Sequence, residues 1–227
     1  MDSASKPIII PVLLNNVKSF IIKGEKTIIF DAGRKGDSSR IIKALEENLI
    51  PIEEVSLIII SHAHTDHYGD LFKLKEISKA KVAVHICEAK YLKNGINSEL
   101  ITKNIALKPL LKLFSLTKVT GVEPDLLVDE KLDLKDYGVD GVIIHTPGHT
   151  KGSLSLILND GNAIVGDLIT TSKKSNHPSL PGIYSDIKSI KKSIFDVLGF
   201  KPSNIFTSHG GTYTQSDIES LVKEIVL

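Results

Sequence analysis

The 227 residues contain one cysteine, one methionine, two arginines, one glutamine and no tryptophan. Each shortage excludes something. A lone Cys87 cannot close an intrachain disulfide, so the fold must rest on its core, and the usage fits a reducing compartment. An excess of either charge is also missing. The 28 basic and 27 acidic side chains leave a formal net charge of +1, too weak a field to gather nucleic acid or an anionic membrane. No apolar run approaches the ~20 residues that cross a bilayer. The opening MDSASKPIIIPVLL, with one lysine and a proline inside its short apolar stretch, is a poor secretory signal. The expectation is a cytoplasmic protein with a small-molecule substrate, no membrane and no nucleic acid as partner. With 41% hydrophobic residues the chain can build a large core, and residues 1–227 are expected to form one domain.

What the chain does have is histidine and aspartate in unusual places. Residues 57–69 read LIIISHAHTDHYG. The first half suits a buried strand, because branched apolar residues fill both faces of a covered sheet. Packing does not account for the second half, where His62, His64, Asp66 and His67 follow within six residues. Imidazole and carboxylate are ordinary zinc donors. His62 and His64 are two apart and would share a face of an extended segment. Asp66 and His67 are adjacent, so they would serve a second ion beside the first.

The same pattern recurs down the chain. Short strands are expected at 8–14, 19–22 and 27–30, the last ending in Asp31, which reads equally well as a turn residue or as a carboxylate orienting the metal site. Helical spacing covers 38–49, capped by Asp37 or Ser38, and then 69–78. A strand at 82–86 carries His85, read as structural. Residues 98–116 read as two short amphipathic helices interrupted by Pro109 and rich in leucine, either a cover for the sheet, a lid or a homodimer contact. Strands follow at 131–134, 142–144, 154–158, 163–165 and 204–207, and helices at 185–198 and 216–226. His149 lies in the turn HTPGHT, Asp167 in Gly166-Asp167 and His209 in Ser208-His209-Gly210, each just past a strand. His145, still within its strand, is set aside in favour of His149.

Seven donors can then be divided. His62, His64 and His149 would make one site, and Asp66, His67 and His209 a second, with Asp167 bridging them. Two ions about 3.5–4 Å apart share a water whose pKa falls from about 15.7 toward about 7, so neither a serine nor a cysteine nucleophile is needed. Tyr184 and His177, in the loop after Asp167, are candidate substrate contacts.

HAHTDH, TPGHT, Gly166-Asp167 and Ser208-His209-Gly210 together, in this order and over nearly the whole chain, resemble the signature of the metallo-β-lactamase superfamily. The likeness is nearest to its glyoxalase II and acyl-homoserine-lactone lactonase side. No cysteine occupies a ligand motif, unlike the zinc-cysteine lactamases. The resemblance implies an α+β fold, a four-layer αββα sandwich of two mixed sheets flanked by helices. It also implies two zinc ions, with iron or manganese as alternatives, and Asp31 as an acidic residue supporting them. The expected activity is hydrolysis of an ester, thioester or lactone by metal-held hydroxide, with Asp66 also moving a proton. A phosphodiesterase or nuclease of the same superfamily and a non-catalytic metal-binding module stand as alternatives.

Overall fold

Continuous apolar strands appear where a sheet is covered on both faces, and the computed structural model has two such sheets. It describes residues 6–102, 105–172 and 175–226. The first sheet starts as an antiparallel meander of β1 (Ile8–Leu13), β2 (Lys18–Lys23) and β3 (Thr27–Phe30). A 10-residue helix α1 (Ser38–Glu47) then crosses to β4 (Val55–Ile59), parallel to β3. Two helices, α2 (Thr65–Tyr68) and α3 (Leu71–Ser78), lead to β5 (Lys81–His85). After α4 (Ala89–Asn94) and α5 (Lys108–Ser115) comes β6 (Leu126–Val128), and the run β3–β4–β5–β6 is parallel.

The second sheet has the order β14–β13–β10–β9–β8–β7. Its members are β7 (Lys131–Asp133), β8 (Gly141–His145), β9 (Leu154–Leu158) and β10 (Asn162–Ile164), followed after a small two-stranded ribbon, β11 (Thr170–Thr171) and β12 (Pro178–Ser179), and helix α6 (Ile187–Gly199), by β13 (Asn204–Phe206) and β14 (Thr212–Tyr213). Only β10–β13 is parallel, so this sheet too is mixed. Helix α7 (Gln215–Val226) closes the described chain.

Side chains alternate across a strand, and that alternation sorts the core into three layers. Phe20, Ile22, Ile28, Phe30, Leu57 and Ile59 face Ile143, Leu154, Leu156 and Ile164 of the other sheet. Their neighbours Ile21, Ile29, Ile58, Val82 and Val84 turn the opposite way, onto Ile41 and Leu45 of α1 and Leu71 and Leu74 of α3. Ile157, Ala163 and Ile205 on the far face of the second sheet meet α6 and α7 through Ile190, Ile194, Val197, Ile218 and Leu221. The result is a helix–sheet–sheet–helix sandwich, the expected α+β architecture. No helix among the described residues is long and apolar enough to cross a membrane.

The segment 98–116 departs from expectation. Residues 105–107 form a single 3₁₀ turn that runs straight into α5, and Pro109 lies in the first turn of that helix. Proline at a helix start loses no hydrogen bond and has its φ already set, so it begins the helix and does not split one. The expected pair of helices is therefore one helix with a 3₁₀ lead-in; residues 103 and 104 lie outside the described residues. Leu111 is buried under it, whereas Ile105, Leu110, Leu113 and Leu116 are exposed. Four strands too short to carry a periodic signal, β6, β11, β12 and β14, were not expected.

His85 ends β5 and His145 ends β8, and the two rings stack at 3.9 Å, 20° from parallel. They join the two sheets and take no part in the donor cluster described below. Burial, then the neighbouring His145, pushes His85 down to about 4. Its Nδ1 accepts from Cys87 N at 3.1 Å, a bond that protonation would break. Because the folded-state value lies below the ordinary ~6.5, the unfolded chain binds the proton first, and stability is lost as pH falls from about 6.5 toward 4. Urea unfolding at pH 7 and pH 5 should show His85→Phe losing less stability than wild type, by up to about 2 kcal/mol. Equal losses in the two proteins would remove His85 as the acid-sensitive group.

Candidate metal centre

All seven predicted donors gather beyond the strand ends, at one edge of the sandwich. Strand β4 ends at Ile59, one further bond runs from Ile60 N to Ala83 O, and Ser61–Ala63 form a bend in place of the extended segment that the spacing suggested. His64 N even donates back to His62 O at 3.1 Å. The two rings still converge, but through a tight turn. Asp66 and His67 then lie on α2, one helical turn held from outside at its first residue and at the bend before it: Thr65 N donates to Asn97 Oδ1 (2.7 Å) and Ala63 N to Glu88 Oε2 (2.8 Å).

His62 Nε2, His64 Nδ1 and His149 Nε2 form a triangle with edges of 3.0, 3.2 and 3.2 Å. Three nitrogens bound tetrahedrally to zinc at 2.0–2.1 Å are about 3.3 Å apart, so the triangle fits an ion. Asp66, His67 and His209 make a second group, and His62, His67 and Asp167 a third between them, each with donor atoms within 4.8 Å of one another. Asp167 Oδ2 lies 3.6 Å from His149 Nε2 and 3.5 Å from His209 Nε2, while its Oδ1 lies 3.6 Å from His67 Nε2. Asp167 thus reaches both outer groups. His67 Nε2 and Asp167 Oδ1 are buried with no hydrogen-bond partner, as is His64 Nε2. Native interiors rarely leave such atoms unpaired, and a cation would satisfy the first two.

The imidazoles are aimed by what their other nitrogen does. His67 Nδ1 donates to Asp31 Oδ2 at 2.8 Å, and His62 Nδ1 to Ser61 Oγ at 2.9 Å, the Ser61 hydroxyl donating in turn to Asp31 Oδ2 at 2.8 Å. His149 Nδ1 donates to Ile183 O (2.7 Å) and His209 Nδ1 to Asn16 O (2.6 Å). With Nδ1 spent, each of these four rings turns its Nε2 inward, where the neutral ring offers a lone pair, as metal-binding histidines do when a second partner fixes the tautomer. The Ile183 contact depends on the turn before it. Gly148 has φ +138°, and a side chain there would strike Ile190 at the start of α6. Its carbonyl accepts from both Ser185 N and Asp186 N, which seats the 183–186 loop on the His149 turn.

Without an ion, electrostatics favour neutral rings at His62, His64 and His149, whereas, against burial, the neighbouring carboxylates raise His67 and His209. Burial, reinforced by neighbouring imidazoles, pushes His62 well below the usual histidine range and His64 to about 3, and burial lowers His149 as well. These three rings are neutral lone-pair donors at pH 7. Burial alone would raise Asp66 and Asp167, but His67 and His209 overcome it and hold both carboxyls down. Burial also opposes charge on His67, yet Asp167, Asp31 and Asp66 together carry it well above the ordinary value.

Of the remaining candidates, Asp31 is fully buried under His67 and Ser61. Tyr184 and His177 are not brought to the cluster by any hydrogen bond. Tyr184 packs half-buried against the helix layer of the second sheet, its backbone N bonded to Ile101 O. His177 is exposed and its charge acts on Asp217 at the start of α7. Ser61, Glu88 and Asn97 were missed. Only Ser61 carried a signal, its place between the apolar strand and His62.

A family model described as the metallo-β-lactamase superfamily matches residues 14–209. A probable metallo-hydrolase of Methanocaldococcus jannaschii is 32% identical over 154 residues, which are 66% of this chain and 66% of that protein, so the match spans about two thirds of its length. Among solved structures, the B3 metallo-β-lactamase BLEG-1 superposes with a TM-score of 0.73 at 20% identity, covering 94% of this chain and 97% of that one. TTHA1623 in a di-iron-bound form gives 0.69 at 19% identity, covering 93% and 98%. With the donor pattern, the αββα sandwich and a family match running from Leu14 to His209, the chain belongs to the metallo-β-lactamase superfamily.

Proposed function

We propose that this chain is a binuclear zinc-dependent hydrolase that attacks the carbonyl carbon of an ester, thioester or lactone and breaks its acyl–oxygen or acyl–sulfur bond. The observation that carries the reading is the pair of donor groups joined by one carboxylate, Asp167. The coarser part, a metal-dependent hydrolase, also agrees with the name given to the Methanocaldococcus relative. His62, His64 and His149 would hold one ion, Asp66, His67 and His209 the other, and Asp167 would touch both. Five imidazoles and two carboxylates without a thiolate suit zinc, and also iron or manganese, the iron being what TTHA1623 was crystallised with. When bound, such a pair supplies a nucleophile from water at neutral pH and polarises the carbonyl oxygen.

The chain's own residues divide the remaining work. Asp31 and Ser61 hold His62 and His67 in the tautomer that leaves Nε2 free. Asp66 is ionised and its side chain is 12% exposed, so it can accept a proton at the mouth of the site and pass it to the leaving group. Phe114 of α5 lies edge-on to His64, with ring centres 6.2 Å apart. On the same helix, Leu111 lines a groove of about 390 Å³ together with Leu100, Ile101, Asn97, Lys108 and Lys112. An acyl chain would lie against Phe114 and extend toward this groove.

Elemental analysis after zinc loading should find two ions per chain, and the loaded protein should hydrolyse simple aryl esters. Asp66→Ala should remove most of that turnover while barely changing thermal stability. Less than one ion per chain would end the binuclear reading.

Ser61→Ala removes the hydroxyl that holds His62, and Asp31→Asn the acceptor that holds His67. Loss of such supporting partners typically weakens metal affinity about 10–100-fold, so chelator competition should show that loss in both variants with the fold intact. Unchanged affinity would make the network purely structural.

Burying each added methylene is worth about 0.8 kcal/mol, roughly a fourfold gain in kcat/KM per carbon until the groove fills. Phe114→Ala should flatten this dependence across a series of esters of rising acyl length. A variant that loses stability but keeps the wild-type profile would return α5 to a covering role.

A further inference from the structure

The donor cluster opens on one side only. His62, His64, His67 and His149 are buried, whereas the side chains of Asp66, Asp167 and His209 are 12%, 9% and 27% exposed. Anything entering the site passes these three, and Arg34, one of the chain's two arginines, stands there. Its Nη2 is 4.0 Å from Asp66 Oδ2 and its side chain is 46% exposed. Among the described residues no hydrogen bond engages the guanidinium, so its five N–H donors are free for a ligand. A pair this long and this exposed adds little to stability. Asp66 would also offer Arg34 less attraction once its charge faced a cation.

The backbone beneath Arg34 is held firmly against the metal loop. Ala32 N and Gly33 N both donate to His67 O, at 2.6 and 3.1 Å. Arg34 N donates to Asp37 Oδ2 at 2.9 Å, and Asp37 N returns a bond to Arg34 O at 3.0 Å. Gly69 at the end of α2 makes this contact possible, because a Cβ there would meet Lys35 N at 2.7 Å and Arg34 Cα at 2.9 Å. The arginine is thus fixed at its root and free at its tip. Beside His209, Lys18 Nζ donates to Gly210 O and adds a second positive charge to the same side.

We propose that Arg34 anchors a carboxylate carried by the substrate close to the bond that is cut, which makes the natural substrate an acyl ester or thioester bearing its own negative charge; this rests on the hydrolase reading above. The guanidinium fork matches the two oxygens of a carboxylate, as it also matches phosphate. Its short distance from Asp66 keeps the charge near the scissile carbonyl. With Phe114 beside the three-histidine group and Arg34 beside the other, the pocket is apolar at one end and cationic at the other.

The test uses the full chain loaded with zinc and two esters of equal acyl length, 4-nitrophenyl butyrate and mono-4-nitrophenyl succinate, each corrected for its spontaneous hydrolysis. Wild type should favour the succinate in kcat/KM. The ratio of the two should fall about tenfold in Arg34→Ala, the usual scale for one charge-assisted pair. Arg34→Lys should keep part of it and Arg34→Glu should invert it. A ratio equal to wild type overturns the proposal, and so does an equal loss on both esters accompanied by falling metal content, which would make Arg34 only a support for Asp66. Calorimetric titration with succinate and with inorganic phosphate needs no turnover. Succinate should bind wild type more tightly than phosphate does, and about tenfold more weakly to Arg34→Ala. Equal succinate binding by both proteins, or a preference for phosphate, overturns the carboxylate assignment. If wild type cleaves neither ester, the hydrolase reading falls and the titration alone decides the role of Arg34.

Discussion

Asp31 sits completely buried at the end of β3, in a left-handed backbone conformation with φ 66°, and accepts hydrogen bonds from Ser61 N, Ser61 Oγ and His67 Nδ1. A carboxylate buried without partners would be very costly, so these bonds are a condition of the fold as well as of the site. They exist because β3 and β4 run parallel. Phe30 pairs with Ile59 and Asp31 N continues the ladder to Ile59 O, which brings residue 31 level with residue 61. One carboxylate then governs two imidazoles, His67 directly and His62 through the Ser61 hydroxyl. Aspartate tolerates positive φ better than most residues, and strain of this kind is commonly retained at functional positions.

The donors themselves were legible in the sequence for a simple reason. Each follows an apolar strand, where a polar side chain has no packing role and strand ends share an edge. The groups that hold them were not legible, because they act across long separations and often through the backbone. The carbonyls of Asn16 and Ile183 carry no residue-type signal, yet they orient His209 and His149 from 193 and 34 positions away. Glu88 stands at the start of α4, and its two oxygens tie Ala63 N after β4 to Gly152 N after β8, fastening the two ligand loops to each other. His62 and His64 do meet, but a bend and not the expected extended strand brings them together. Pro109 was misread because proline stops a helix from the inside but starts one from its first turn.

The cluster also depends on the chain being folded throughout. His62, His64, Asp66 and His67 come from the loops of the first sheet, and His149, Asp167 and His209 from those of the second. The hairpin turn between β1 and β2 reaches the last of these: Asn16, at φ 67°, accepts from His209, and Lys18 N donates to Ser208 O. A cation held by both sets would couple its binding free energy to the union of the sheets. Before it binds, the cost of crowding five imidazoles is kept down by neutrality at His62, His64 and His149 and by the Asp31, Asp66 and Asp167 carboxylates beside His67.

That division of charge makes the site asymmetric, and the asymmetry bears on reactivity. The three-histidine group is neutral and buried. The group built on Asp66, His67 and His209 is charged and opens to solvent. Electrostatic forces strengthen where water is excluded, so a carbonyl oxygen drawn inward past Asp66 would meet a steadily stronger field. On the proposed function, an acyl chain would avoid water by lying toward Phe114, while a charged substituent would avoid desolvation by staying at the rim with Arg34. The two preferences turn the same substrate the same way round. Orientation of the scissile bond can therefore come from solvation at the two ends of the pocket, before any group in the cluster has acted.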